Sequence, residues 1–486
     1  MKPTIALHAI LLLAVVPAHA QFGRGAGEWS LDGADAQRSF WVRTDAKISV
    51  PAIEKGGFGL AWKLKLPEAS TFTGETVLLN GYIGYRGFRS LAYIAGASGH
   101  IYAMDTDLGR VEWHKPLGSG AISTGVARTV SLAFPGMPGP GRGGPGRGGA
   151  AKSAVGAADQ GAVTIKEIAD REAAMAAAAA GRAGAGRAGA GRGANAFPNG
   201  PPRRMPNYIY AISGDGMLHS MYVSNGEEPE KAVPFVPAKT NAGGLIVLSD
   251  AAYATAANAV WAVDLESHKV GSWKASGDFA GTGPALTPDG TVFVTTTSGS
   301  LAALEAKTLA LKSSYDAHAA FTSSPVLFEF HDKTLVAAAT KDNHIHLLDT
   351  AALDKPYAPQ SIGFAADSLA SWQDPSGTRW ILASSPGAVM AWKLVEKDGA
   401  PALTTGWTSR DLASPGAPLI LNGVVFTFAR GNGALYALDG ATGKDIWNSG
   451  STVTAKGPAS LSAGGMQVYL ATHDGVLYAF GFPIEH

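Results

Sequence analysis

The chain has 486 residues, with 39 basic and 39 acidic side chains and no cysteine. The missing cysteine excludes disulfides, a Cys-x-x-Cys-His haem attachment, thiolate metal sites and lipidation at a leader cysteine. The balanced charge gives no reason to expect a nucleic-acid surface.

Residues 1–20 read as a secretory signal peptide. Lys2 gives a short basic start, Ile5 to Val16 is an apolar run broken only by His8, and Ala18-His19-Ala20 supplies small residues for a cut after Ala20. The run is too short to span a bilayer, and no other apolar run of that kind follows. Export to the periplasm or the medium is expected, with no transmembrane segment.

Residues 28–67 read as the closing piece of a ring. Leu60-Ala61-Trp62-Lys63-Leu64-Lys65-Leu66 alternates like a strand, and the need for it comes from a repeat further along. A seven-residue shape recurs eight times: Gly99 to Asp105, Gly216 to Tyr222, Asn258 to Asp264, Gly299 to Glu305, Asn343 to Asp349, Gly387 to Lys393, Gly433 to Asp439 and Gly475 to Gly481. The third residue is always branched and apolar, the sixth always large and apolar. Both faces of such a strand are apolar, so it lies between two layers. With the insert at 135–205 set aside, the copies are 41–46 residues apart. That period, carrying several short strands, predicts an all-β chain: an eight-bladed β-propeller of four-stranded blades over 21–486. Only Phe482 to His486 follow the last copy, too few to finish the eighth blade. The N-terminal strand is expected to finish it, because an open ring leaves unpaired edges.

A second signal follows some copies. Asp105 leads through Gly109 to Trp113, Asp439 through Gly443 to Trp447, and Asp264 to Trp273 is a looser version. Asp caps a tight turn, Gly takes the positive φ, and Trp lands on the outermost strand to pack between blades. Ala-x-Asp-x-x-Thr-Gly-x-x-x-Trp resembles the blade motif of the pyrroloquinoline-quinone (PQQ) propellers. The opening from Trp29 through Asp35-Ala36-Gln37-Arg38 to Gly59-Leu60-Ala61-Trp62 is similar to that of quinoprotein alcohol dehydrogenases. The resemblance implies two functions: a PQQ- and calcium-dependent alcohol or sugar dehydrogenase, or a non-catalytic scaffold like the propeller lipoprotein of the outer-membrane assembly machinery. The chain lacks the adjacent cysteine pair common in the dehydrogenases, and their calcium-binding and base residues do not map onto its positions. WD-repeat propellers share the period, but their Gly-His and Trp-Asp signatures do not recur here.

The insert at 135–205 is rich in Gly, Ala, Arg and Pro, with ten basic and four acidic residues, and reads as a disordered loop on the second blade. Electrostatic contact with nucleic acid or anionic lipid is its functional alternative. His344 and His346 could share a metal, but the repeat register puts His346 in a slot filled elsewhere by Tyr102, Tyr436 and Tyr478. A ligand site is expected at the channel mouth, where the innermost strands begin near Thr124, Thr282, Ser323 and Lys456. That lining suits a small molecule or a partner's loop better than catalysis. The reading is therefore an exported, monomeric binding or scaffolding propeller in the cell envelope, with a protein partner or a small molecule at the mouth. The dehydrogenase is the alternative.

Overall fold

The computed structural model describes residues 28–67, 71–84, 87–118, 125–133 and 207–483. The expected signal peptide at 1–20, the insert at 135–205 and Thr124 lie outside them. The described residues form eight sheets, seven antiparallel ones of four strands and a mixed one of five, and the protein is an eight-bladed propeller. The repeated shape is the third strand of every blade, from His100–Asp105 in the first to Val476–Gly481 in the last. In Ala434–Asp439 five of six residues are buried, as apolar residues on both faces require.

The ring closes with the N-terminal strand. Gly59–Lys65 pairs antiparallel with Val476–Gly481 as the outermost strand of the eighth blade, with Lys63 opposite Tyr478. Neighbouring blades are locked by tryptophans. Trp62 Nε1 donates to the Thr106 carbonyl of the first blade at 2.7 Å, Trp113 Nε1 to Val223 of the second at 3.1 Å, and Trp407 Nε1 to Gly440 of the seventh at 2.9 Å. Each indole lies on a left-handed glycine of the next blade's turn: Gly109, Gly226 or Gly443. The turn itself is built as the sequence implies: Asp439 Oδ1 accepts the Ala441 N–H at 2.8 Å, and Asp105 Oδ1 accepts those of Asp107 and Leu108. In the looser copy His268 takes the positive φ, 57°. Trp273 lies on the outermost strand of the third blade, and Trp447 packs between Phe58 and Phe480.

Residues 28–42 do something that the closing strand does not need. They run inside the ring, and their carbonyls take N–H groups from the inner strands of six blades in ring order. Trp29 accepts from Leu78, Ser30 from Arg128, Ala36 from Leu286, Gln37 from Leu327, Ser39 from Ser371, and Phe40 and Val42 from Ile420 and Asn422, all at 2.7–3.0 Å. At Trp41–Val42 the contact becomes a parallel fifth strand on the seventh blade. At the third blade the chain after the second blade's inner strand substitutes, with Val130 N–H bonded to the Val247 carbonyl at 2.8 Å. The inner edge of a blade is an unpaired edge, and this segment covers it on six of the eight. Its curl uses Gly33 and three non-glycine residues at positive φ, Ala34, Arg38 and Phe40. Such backbone is costly and persists only where the surroundings fix it.

Candidate functional site at the channel mouth

The axial segment places a charged cluster beneath the channel mouth. Asp32 and Arg38 come from the segment, and Glu75 from the start of the first blade's inner strand, Phe72–Gly84. Glu75 Oε2 accepts the Trp29 Nε1–H at 2.6 Å and the Gly33 N–H at 2.7 Å, while Asp32 Oδ1 accepts the Glu75 N–H at 2.7 Å. The chain can pass so close only because residue 74 is glycine. A Cβ there would stand 2.6 Å from Gly125 Cα and 2.8 Å from Asp32 Oδ1. Arg38 is 1% exposed, donates from Nη2 to Thr282 Oγ1, and has no hydrogen-bond partner among the described residues at Nε or Nη1.

Burial holds the Glu75 carboxyl in its protonated form, and the neighbouring Asp32 carboxylate adds to this, so its pKa is pushed up to about 8. Burial raises Asp32 as well, and lowers Arg38. Because folded Glu75 holds a proton that the unfolded chain releases near pH 4.5, its contribution to stability is complete below that pH and is lost as pH rises towards 8. Glu75→Gln, which imitates the neutral carboxyl, is expected to match the wild type at pH 4.5. At pH 8.5 it should exceed the wild type by on the order of a few kcal/mol. Urea denaturation of both proteins at the two pH values measures this, and an equal gap at both would reject it.

Above the cluster is a cavity of about 260 Å³, lined by Asp32, Glu75, Thr71, Thr282, Ser460, Thr472 and His473 among others. Of the four residues expected at the mouth, Thr282 lines this cavity. Lys456 is exposed, two positions before Pro458 in the lining. Ser323 is fully buried, its Oγ donating to Ser324 O and accepting the Ala339 N–H. Thr124 lies outside the described residues. Sequence reasoning missed Asp32, Arg38 and Glu75 as a group. The available signal was charged side chains in a stretch with no strand or helix period, which by itself does not say that they are buried.

The family resemblance implies PQQ with calcium, and the described residues do not fit that pair. PQQ carries three carboxylates, whereas the cavity presents two acids and one histidine, with the Arg38 guanidinium engaged by Thr282. Calcium takes six to eight oxygen ligands. Among the described residues no group of three or more His, Cys, Asp or Glu side chains is placed to hold a metal.

Two other constellations are structural. Ser213 Oγ lies 2.9 Å from His219 Nε2, and His219 Nδ1 lies 3.0 Å from Glu228 Oε2, the order of a Ser-His-acid triad. Ser213 is fully buried, however, and its hydroxyl also caps Asp215 in a turn that recurs as Thr340–Asp342 and Thr472–Asp474. His346 occupies the aromatic slot that its register implies, with Nδ1 2.9 Å from Tyr315 Oη and Nε2 3.2 Å from Thr340 Oγ1.

A closed ring of eight blades, tied by tryptophans and filled along its axis by its own chain, defines the class. Residues 375–481 match the family model described as outer membrane protein assembly factor BamB. No curated protein matches the chain. Quinohemoprotein alcohol dehydrogenase from Comamonas testosteroni is a similar solved structure: 14% identical, covering 96% of this chain and 83% of its own, TM-score 0.53. A europium-containing methanol dehydrogenase is 11% identical, with coverage of 94% and 98% and a TM-score of 0.57. The computationally designed Ika8 protein is 12% identical, with coverage of 86% and 98% and a TM-score of 0.54. The fold is that of the PQQ-like repeat β-propellers, as the blade motif implies.

Proposed function

We propose that this protein is a non-catalytic binding module of the cell envelope, working through the rims of a rigid, axially sealed disc. The observation that carries this reading is the segment at 28–42, bonded to six blades, beside which, among the described residues, lies an acidic cavity of about 260 Å³ at the mouth. Drug-sized ligands occupy cavities of roughly 300–1,000 Å³ lined mainly by apolar groups. The apolar leader at 1–20 and the family match at 375–481 support an exported location and a protein partner. Among the described residues no helix is long and apolar enough to cross a membrane. The low-complexity insert at 135–205 belongs to the second blade in this reading, as a loop rather than a domain.

The test pairs two measurements on the full chain. Crosslinking in intact cells should give a stoichiometric protein partner, with a mature N-terminus at Gln21. PQQ with calcium should give no dye reduction with alcohols or sugars. Calcium-dependent PQQ binding with substrate-dependent dye reduction would replace this reading with the dehydrogenase.

A further inference from the structure

On the opposite face from the mouth, a cavity of about 370 Å³ lies between the fifth and sixth blades, lined by Glu329, His331, Arg379, Lys393 and Glu396 among others. Arg379 opens the second strand of the sixth blade, Arg379–Ser384, and is 6% exposed. Its Cζ lies 5.7 Å from the ring centroids of both Trp41 and Phe328. Arg43 lies against the same Trp41, its Cζ at 4.1 Å. Neither guanidinium has a hydrogen bond or an ion pair to any described residue, and both Nε atoms are buried without a partner.

This arrangement leaves the Arg379 guanidinium without a direct counter-ion. A buried guanidinium is normally held by a carboxylate or phosphate in fork geometry, and one without a partner is costly. The acids in reach act from a distance. Glu329 is not within ion-pair range, and Glu396 is taken by His331, whose Nδ1 is 3.3 Å from its Oε2. Burial, with the Arg43 charge added, pulls the Arg379 pKa down to about 10. The guanidinium is still charged at neutral pH, so its missing partner is an anion.

We propose that this cavity is a binding site for a small monocarboxylate, zwitterionic amino acids included, whose carboxylate is received by Arg379, while the Arg43 charge on the same Trp41, outside the lining, adds a longer-range attraction. Glu329 and Glu396 in the lining discriminate against a second negative charge and favour an ammonium group on the ligand. The volume left beyond the carboxylate accommodates a short side chain. The site stands apart from the channel mouth, and it does not depend on whether the protein is a scaffold or an enzyme.

The test is thermal denaturation of the full chain in sodium acetate, glycine or inorganic phosphate, against chloride at equal ionic strength. Acetate and glycine are expected to raise the melting temperature saturably, and phosphate is not. Arg379→Met should weaken the acetate response at least about tenfold, the loss of one charge-assisted pair. In chloride it should melt no lower than the wild type, because it removes an unpaired buried charge. Arg43→Gln should weaken the response in the same direction and serves if Arg379→Met fails to fold. No saturable response to either carboxylate, a stronger response to phosphate, or undiminished binding in both variants would overturn the proposal. So would Arg379→Met melting several degrees lower in chloride, which would show that the arginine already has an internal counter-ion.

Discussion

Deleting residues 28–58 while keeping the closing strand at 59–65 is expected to abolish folded, soluble protein. Seven inner-strand N–H groups, from Leu78 round to Asn422, would lose their acceptors. Each such bond is worth about 1 kcal/mol net. Trp29, Leu31, Ile48, Ile53 and Phe58, all buried, would leave the core as well. Each contributes about 1.5–3 kcal/mol of apolar burial. Together these losses exceed the 5–15 kcal/mol by which folded domains are typically stable. Far-UV circular dichroism and soluble yield would report the loss. A deletion that still gave a cooperative melt near the wild-type temperature would show that the axial segment is an accessory rather than the axle of the ring.

The second large effect is expected at the blade-to-blade tryptophans. Gly443→Ala places a Cβ 2.4 Å from Trp407 Cε3, at a φ of +72°. The left-handed conformation costs about 1–2 kcal/mol for an L-residue. Displacing the indole also breaks its bond to the Gly440 carbonyl and opens the interface packed beneath it. The sum is on the order of 3–4 kcal/mol. Gly450→Ala separates the two causes: its φ is +55°, and nothing lies within 4 Å of the added Cβ. It should cost only the backbone share, about 1–2 kcal/mol. Chemical denaturation of both variants measures the difference. Equal losses would mean that the tryptophan docking holds nothing, and would also remove the reason for glycine at Gly109 and Gly226.

The proposed role and the proposed monocarboxylate site lie on different parts of the disc and fail separately. PQQ-dependent turnover would overturn the scaffold reading and leave Arg379 untouched. An acetate response that survives Arg379→Met would remove the carboxylate site without bearing on the envelope partner.

The sequence by itself determined the blades, because what makes a blade is local. The third strand is apolar on both faces from residues within a single copy, such as Leu435 and Leu438. Its turn needs only an aspartate and a left-handed residue four positions on. Ring closure by Leu60 to Leu66 was also legible, since it follows from counting strands and from the cost of an open edge. The structure sets that strand one residue earlier, at Gly59–Lys65.

The tertiary structure alone decided what fills the axis and what is charged inside it. Residues 28–42 carry no period, because the segment passes from blade to blade, with Gln37 reaching Leu286 across 249 positions of chain. Thr282 and Ser323 look alike in sequence, both small polar residues just ahead of an inner strand. One lines the cavity and the other is sealed against Ala339. Both stand three residues ahead of their inner strands, Ala285–Leu286 and Val326–Phe330, so position in the repeat does not separate them; the difference is that Thr282 meets Arg38 of the axial segment while Ser323 is taken by its own blade. Asp32, Arg38 and Glu75, like Arg43 and Arg379 on the far side, carry no period in sequence that marks them as buried. They became sites only where the closing of the ring took water away from them.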